Sequence, residues 1–194
     1  MQKHLFLTGP AGCGKSDAIR QALGPALLSA GGFVTEHERG IDGKLQRCLL
    51  LPAAAAGGAE GFEALPYLDL REDPPLHNNE VFRSEGVRLL EEAAWYPFSV
   101  LDAIGGFELL IPQFRAALTE LLNAEQPLVG VLLAKKDSLA LCHRLGLGER
   151  VEMNITQLWK ALQADPDTQI AELHGLHRRR AVHALEQWAE EYAR

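Results

Sequence analysis

Apolar residues in this chain form short runs that alternate with stretches of helical periodicity. His4 to Thr8 is an apolar run of strand length ending in a glycine-rich turn, and beyond it Ala18, Ile19, Ala22 and Leu23 recur at helical spacing. This predicts strand, loop, helix. Gly31 to Thr35 and Leu45 to Leu51 read as strands joined by a turn over Gly40 to Gly43, a hairpin, with Glu36, His37 and Glu38 just past the first strand's end. The Ala/Gly-rich stretch Pro52 to Glu63 and the interruption Asp73-Pro74-Pro75 with His77-Asn78-Asn79 read as surface connections. A helix is expected over Ser84 to Ala94, capped by Ser84, followed by a strand from Phe98 that ends in the carboxylate of Asp102. Pro112 suits the first position of a helix through Phe114, Leu118 and Leu121 to Asn123, because its missing N–H removes no helical bond there. Leu128 to Ala134 and Val151 to Asn154 read as further strands. Asp165-Pro166 reads as the opening of a final helix with Val182, Leu185, Ala189 and Tyr192 on one face. Strands alternating with helices imply a largely parallel sheet covered on both sides. No internal repeat or boundary divides the sequence, so residues 1–194 are expected to form a single domain.

Composition narrows the function more than the fold. The net charge of −7 and pI near 5.5 argue against stable nucleic-acid binding, which needs a basic face. Cys13, Cys48 and Cys142 show no metal-ligand spacing and read as free thiols. Met1 to Gly9 is apolar too briefly for a signal segment, and no apolar run reaches membrane-spanning length. The expectation is a soluble, cytoplasmic protein; a protein partner stays open.

The chemistry begins at the first turn. Gly9-Pro10-Ala11-Gly12-Cys13-Gly14-Lys15-Ser16 satisfies GxxxxGK[ST] in full, between an apolar strand and a helix. Glycines let backbone N–H groups turn inward around a β-phosphate, and the helix that follows adds unpaired N–H groups and the positive end of its dipole. Lys15 would neutralise β- and γ-oxygens, while the Ser16 hydroxyl suits Mg²⁺ bridging those phosphates. The ligand is thus expected to be a nucleoside triphosphate with Mg²⁺. A second acidic group for the metal is expected at a neighbouring strand end, and Asp102 is placed for it.

Around these residues the sequence resembles the THEP1-like nucleoside triphosphatases, P-loop proteins with a RecA-like sheet. Asp102-Ala103-Ile104-Gly105-Gly106-Phe107-Glu108-Leu109 is similar to their DEIGxxEL signature. Gly32-Phe33-Val34-Thr35-Glu36-His37-Glu38-Arg39 resembles GFxTEExR, and Val151 to Thr156 resembles a strand ending in Asn-x-Thr. The resemblance runs from about residue 3 to about residue 157. It implies a three-layer α/β P-loop fold and hydrolysis of NTPs with broad base tolerance.

The departures fall on polar positions. Ala103 stands where the family carries the glutamate that activates water, His37 replaces the second glutamate of TEExR, and Trp159-Lys160 replaces an Asn-Arg pair. A positioned base commonly contributes roughly 10²- to 10⁴-fold, so slow turnover is expected. Lys15 remains a catalytic candidate. Glu108 matches the signature's second acidic residue and is a candidate for orienting water. His37, Glu36 and Glu38 are weaker candidates, and Arg39 is a candidate internal arginine finger.

Three other readings stay open. A GTPase would use Thr35, Asp102 to Gly105 as DxxG and Ala134-Lys135-Lys136-Asp137 as NKxD, but Ala134 lacks the amide that supports guanine. A small-molecule kinase would use His177-Arg178-Arg179-Arg180 as a lid, although a charge run on an amphipathic helix reads first as a solvated face. A nucleotide-dependent regulatory module would bind NTP with little turnover.

Overall fold

The computed structural model, which describes residues 2–193, places strand β1 (His4–Thr8) inside a sheet, with a neighbour on each side, and buries all of it. Burial on both faces explains why β1 reads as a continuous apolar run rather than an alternating one. Helix α1 (Lys15–Leu23) follows the glycine turn. β2 (Ala30–Arg39) and β3 (Leu45–Pro52) form the expected hairpin. β2 nevertheless continues through Glu36, His37 and Glu38, which pair with β3 in place of following a strand end, because polar residues suit a ladder that leaves the core.

The connection after β3 contains strands that its Pro/Gly content concealed, β4 (Leu65–Asp69) and β5 (Leu76–His77), which extend the antiparallel edge. Helix formation then starts earlier than expected, with α2 (Asn79–Val81), a π-helical segment Phe82–Gly86 and α3 (Val87–Glu92). Asn78 caps it by accepting the Glu80 N–H at 3.0 Å, whereas the Ser84 hydroxyl donates to the Glu80 carbonyl inside the helix. β6 (Phe98–Ile104), α4 (Pro112–Leu122) and β7 (Leu128–Leu132) occupy the expected segments, but β6 continues past Asp102 to Ile104, where it still pairs with β7, and β7 ends at Leu132, short of Ala134. α5 (Lys135–Arg144) follows β7.

The C-terminal third corrects the sequence reading. Val151 to Asn154 belongs to helix α6 (Glu149–Ala164), not to a strand: Val151, Ile155, Leu158 and Leu162 recur along one helical face and pack on the core. Asp165-Pro166 opens the strand β8 (Thr168–Glu172), not the last helix, with the Asp165 carboxylate accepting from Asp167 N–H and the Thr168 hydroxyl. Ile170 is its one large apolar residue, so β8 carried little strand signal. The final helix α7 (Arg178–Tyr192) buries Ala181, Ala184, Leu185 and Trp188, with Val182, Ala189 and Tyr192 packed beside them.

The eight-stranded sheet has the order β5-β4-β3-β2-β6-β7-β1-β8. β2, β6, β7, β1 and β8 run parallel, and β3 to β5 are antiparallel. One core layer packs Leu5, Ile19, Val129 and Trp188 between the sheet and α1 and α7; the other packs Phe6, Phe33, Phe114 and Ile155 beneath α4 and α6. This is the three-layer P-loop architecture. Because β7 lies between β1 and β6, the Gly9 turn and Asp102 face one another across the end of β7, as in a RecA-like sheet.

Candidate active site

The turn between β1 and α1 uses glycine where a side chain would fail. Gly14, at the helix start, has φ 86°, and a Cβ on Gly9 would come 3.2 Å from the Cys13 sulfur while its φ of 140° already favours glycine. Lys15 lies buried inside the turn, and its Nζ donates to the Gly9 and Pro10 carbonyls at 2.8 Å each and to the Cys13 sulfur at 3.7 Å. These bonds hold the ammonium at the mouth of the loop, the position a phosphate chain would approach.

Across the cleft, Asp102 is 3% exposed, and burial raises its pKa to about 6, against the opposing effects of the Ser16 hydroxyl, Arg20 and Lys15. The Ser16 hydroxyl is within hydrogen-bonding reach of that carboxylate. A hydroxyl and a carboxylate side by side are hard oxygen donors, so Ser16 and Asp102 fit Mg²⁺ delivered on phosphate oxygens. Ala103 follows on β6 as a methyl group packed toward the α1 layer.

Glu108 is buried rather than facing solvent. Its Oε1 accepts the Gly105 and Gly106 N–H groups at 2.7 Å each, and burial raises its pKa despite those bonds. The carboxylate thus ties down the loop after Asp102. Arg39 is engaged at the hairpin turn, where Nη1 donates to the Gly43 carbonyl at 3.0 Å. Glu38 is paired with Arg47 at 2.5 Å. His37 keeps contact with solvent, yet the surrounding protein lowers its pKa, with Arg39, Arg20 and Lys15 adding to the effect.

Residues outside both signatures also reach the loop. Asp137, in the first turn of α5, accepts the Ala11 N–H at 3.0 Å, and its buried neighbour Ser138 donates to the Gly105 carbonyl. Arg178, at the start of α7, donates to the Cys13 carbonyl at 2.8 Å. The sequence offered Asp137 only as part of a poor NKxD and Arg178 only as a charge run. No signal in the sequence joined either to the loop, because they follow β7 and β8, which flank β1 only in the folded sheet, and β8 itself carried little strand signal.

A family model described as NTPase matches residues 4–159. The nucleoside-triphosphatase THEP1 of Thermotoga sp. (strain RQ2) is 31% identical over 136 residues, which cover 69% of this chain and 75% of that protein. The crystal structure of THEP1 from the hyperthermophile Aquifex aeolicus shares the fold with a TM-score of 0.61 at 17% identity, over 94% of this chain and 96% of that one. Together with the loop, the position of Asp102 near the end of β6 and the sheet order, these matches place the chain in the THEP1-like family of P-loop nucleoside triphosphatases.

Proposed function

We propose that the protein binds Mg²⁺-NTP at Gly9 to Ser16 and hydrolyses it slowly to NDP and phosphate, with little preference among bases. The observation that carries this reading is the juxtaposition of buried Lys15 with the Ser16–Asp102 pair. Backbone N–H groups of the loop and the Lys15 ammonium would hold the β- and γ-phosphates. Mg²⁺, when bound by Ser16 and Asp102, supplies further neutralisation of phosphate charge.

Slow turnover follows from Ala103, which cannot accept a proton from water. Tolerance of several bases is supported by Ala134, which offers no side-chain amide at the residue preceding α5. Glu108 then acts by fixing the Gly105–Gly106 backbone, while Arg39 is bonded to the Gly43 carbonyl at the hairpin turn. Free thiols at Cys13, Cys48 and Cys142 support a reducing, cytoplasmic setting. Among the described residues no helix is long and apolar enough to cross a membrane.

Ala103 also favours a second reading, a nucleotide-dependent regulatory module that turns over little NTP. Phosphate release from ATP, GTP, CTP and UTP, with Lys15→Ala as the blank, separates the two. Comparable Lys15-dependent rates across bases support the hydrolase, and background release with intact binding supports the module. A rate confined to GTP would return the site to a GTPase.

A further inference from the structure

The hydrolase reading leaves the attacking water without the base that Ala103 removed, and three of the neighbouring acids are already committed. Asp102 faces Ser16, Glu108 accepts two backbone N–H groups, and Glu38 is paired with Arg47. Asp137 differs from all of these. It is exposed, forms no ion pair among the described residues, and touches the P-loop directly through the Ala11 N–H at 3.0 Å.

Topology fixes where that carboxylate stands. β7 lies between β1 and β6, so the segment leaving β7 must emerge between the P-loop and the end of β6, two residues past Asp102. Leu133 N–H is held by the Ile104 carbonyl at 2.9 Å, which anchors this exit beside Ala103. Adjacent residues of α5 then contact the two halves of the site: Asp137 touches Ala11, and Ser138, 2% exposed, donates to the Gly105 carbonyl. The γ-phosphate of a nucleotide lying along the loop would end in this cleft.

An acidic residue in the first turn of a helix usually serves the helix itself, by compensating the dipole or by reaching back to the N-cap N–H. Asp137 Oδ2 instead accepts the Ala11 N–H of another element, and the N-cap position Ala134 makes no side-chain cap bond.

Building on the hydrolase reading, we propose that Asp137 is a catalytic residue which orients and deprotonates the attacking water, supplying from α5 the base absent at Ala103. The water oxygen forms a bond to the γ-phosphorus while the bond from that phosphorus to the β–γ bridging oxygen breaks. The electron pair of that broken bond leaves with the NDP. The water proton passes to the Asp137 carboxylate and from there to phosphate or solvent. Lys15 and the Ala11 N–H offset the repulsion between the carboxylate and the γ-phosphate.

The test is single-turnover phosphate release from γ-labelled Mg-ATP by the full chain and by Asp137→Asn, Asp137→Ala and Lys15→Ala, with ATP affinity measured by calorimetry. Asn keeps an oxygen that can accept the Ala11 N–H, so a residue that merely clamps the loop survives Asp137→Asn, whereas a base does not. The expected result is a rate lower by about 10²-fold in Asp137→Asn, affinity within about twofold of wild type, and partial rescue of Asp137→Ala by added formate. An unchanged rate in Asp137→Asn would overturn the assignment in favour of a clamp. A faster rate with tighter ATP binding would overturn it in favour of an acidic plug. If the wild-type chain releases no phosphate above Lys15→Ala, the hydrolase reading itself fails, a result distinct from either of these.

Discussion

Lys15 carries a positive charge into a buried position that the Gly9 and Pro10 carbonyls stabilise. No other cation donates to those carbonyls among the described residues, so Lys15→Ala should weaken Mg-ATP binding by at least about 10²-fold, or roughly 2.7 kcal/mol. Calorimetry with an unchanged Kd would remove the loop from the binding site. On β6, Ala103→Glu places a carboxylate next to Asp102 in the chain. It should raise kcat roughly tenfold if that position is the family's route to an activated water. An unchanged kcat in steady-state phosphate release would assign water activation wholly to other groups, α5 foremost among them. These residue types were legible because GxxxxGK[ST] and the DEIGxxEL-like stretch are contiguous in sequence. Asp137 was not, since its contact with Ala11 spans separate elements and appears only when β7 is seen between β1 and β6.

At the scale of elements, the short 3-10 turn Phe107–Leu110 links the site loop to the helices behind it. Glu108 binds Gly105 and Gly106 from one side of the turn, and the Leu109 carbonyl accepts from Arg115 and, at 2.8 Å, from Asn154. Glu108→Ala would leave two buried N–H groups without partners at about 1–3 kcal/mol each. A lower urea midpoint with an unchanged m-value is expected. Glu108→Gln retains an acceptor oxygen and should keep most of the turnover; a loss of about 10²-fold with stability intact would make Glu108 the base instead. The same turn shows why α6 was misread. Asn154 lies in a run that resembles a family strand, yet its side chain reaches Leu109 from a helix whose buried face, Val151, Ile155 and Leu162, extends well beyond that run. A window of a few residues cannot separate a strand from one helical turn, whereas the whole of α6 can. β4 and β5 were hidden for the opposite reason, being short edge strands among Pro and Gly with little apolar alternation.

Across the whole molecule, the candidate phosphate site gathers at one end of the parallel strands while the opposite end carries a cost in stability. His4, at the start of β1, is fully buried, and neither ring nitrogen has a hydrogen-bond partner; the Leu122 carbonyl is near but outside good geometry. Burial, then the Lys3 ammonium, hold its pKa below 6.5. The unfolded chain therefore takes up a proton as pH falls past 6.5 while the folded chain resists, so this contribution to stability is complete above 6.5 and is lost on acidification. His4→Leu removes two unsatisfied buried atoms. It should stabilise the protein by about 1–3 kcal/mol at pH 7 and by more at pH 5, as read from urea midpoints at the two values. A gain that shrinks at pH 5 would contradict this sign. The parallel order of the sheet was implied by alternating strands and helices, but its antiparallel extension and the placement of β8 beside β1 depend on pairings between distant segments.

The central claim is that Gly9 to Ser16, with Asp102, holds Mg²⁺-NTP for hydrolysis. Its most direct test is phosphate release from Mg-ATP by the wild-type chain beside Lys15→Ala, each with and without EDTA. A slow release that disappears both on Lys15→Ala and on chelation is the predicted result. Release that persists in Lys15→Ala, or that is indifferent to EDTA, would contradict it.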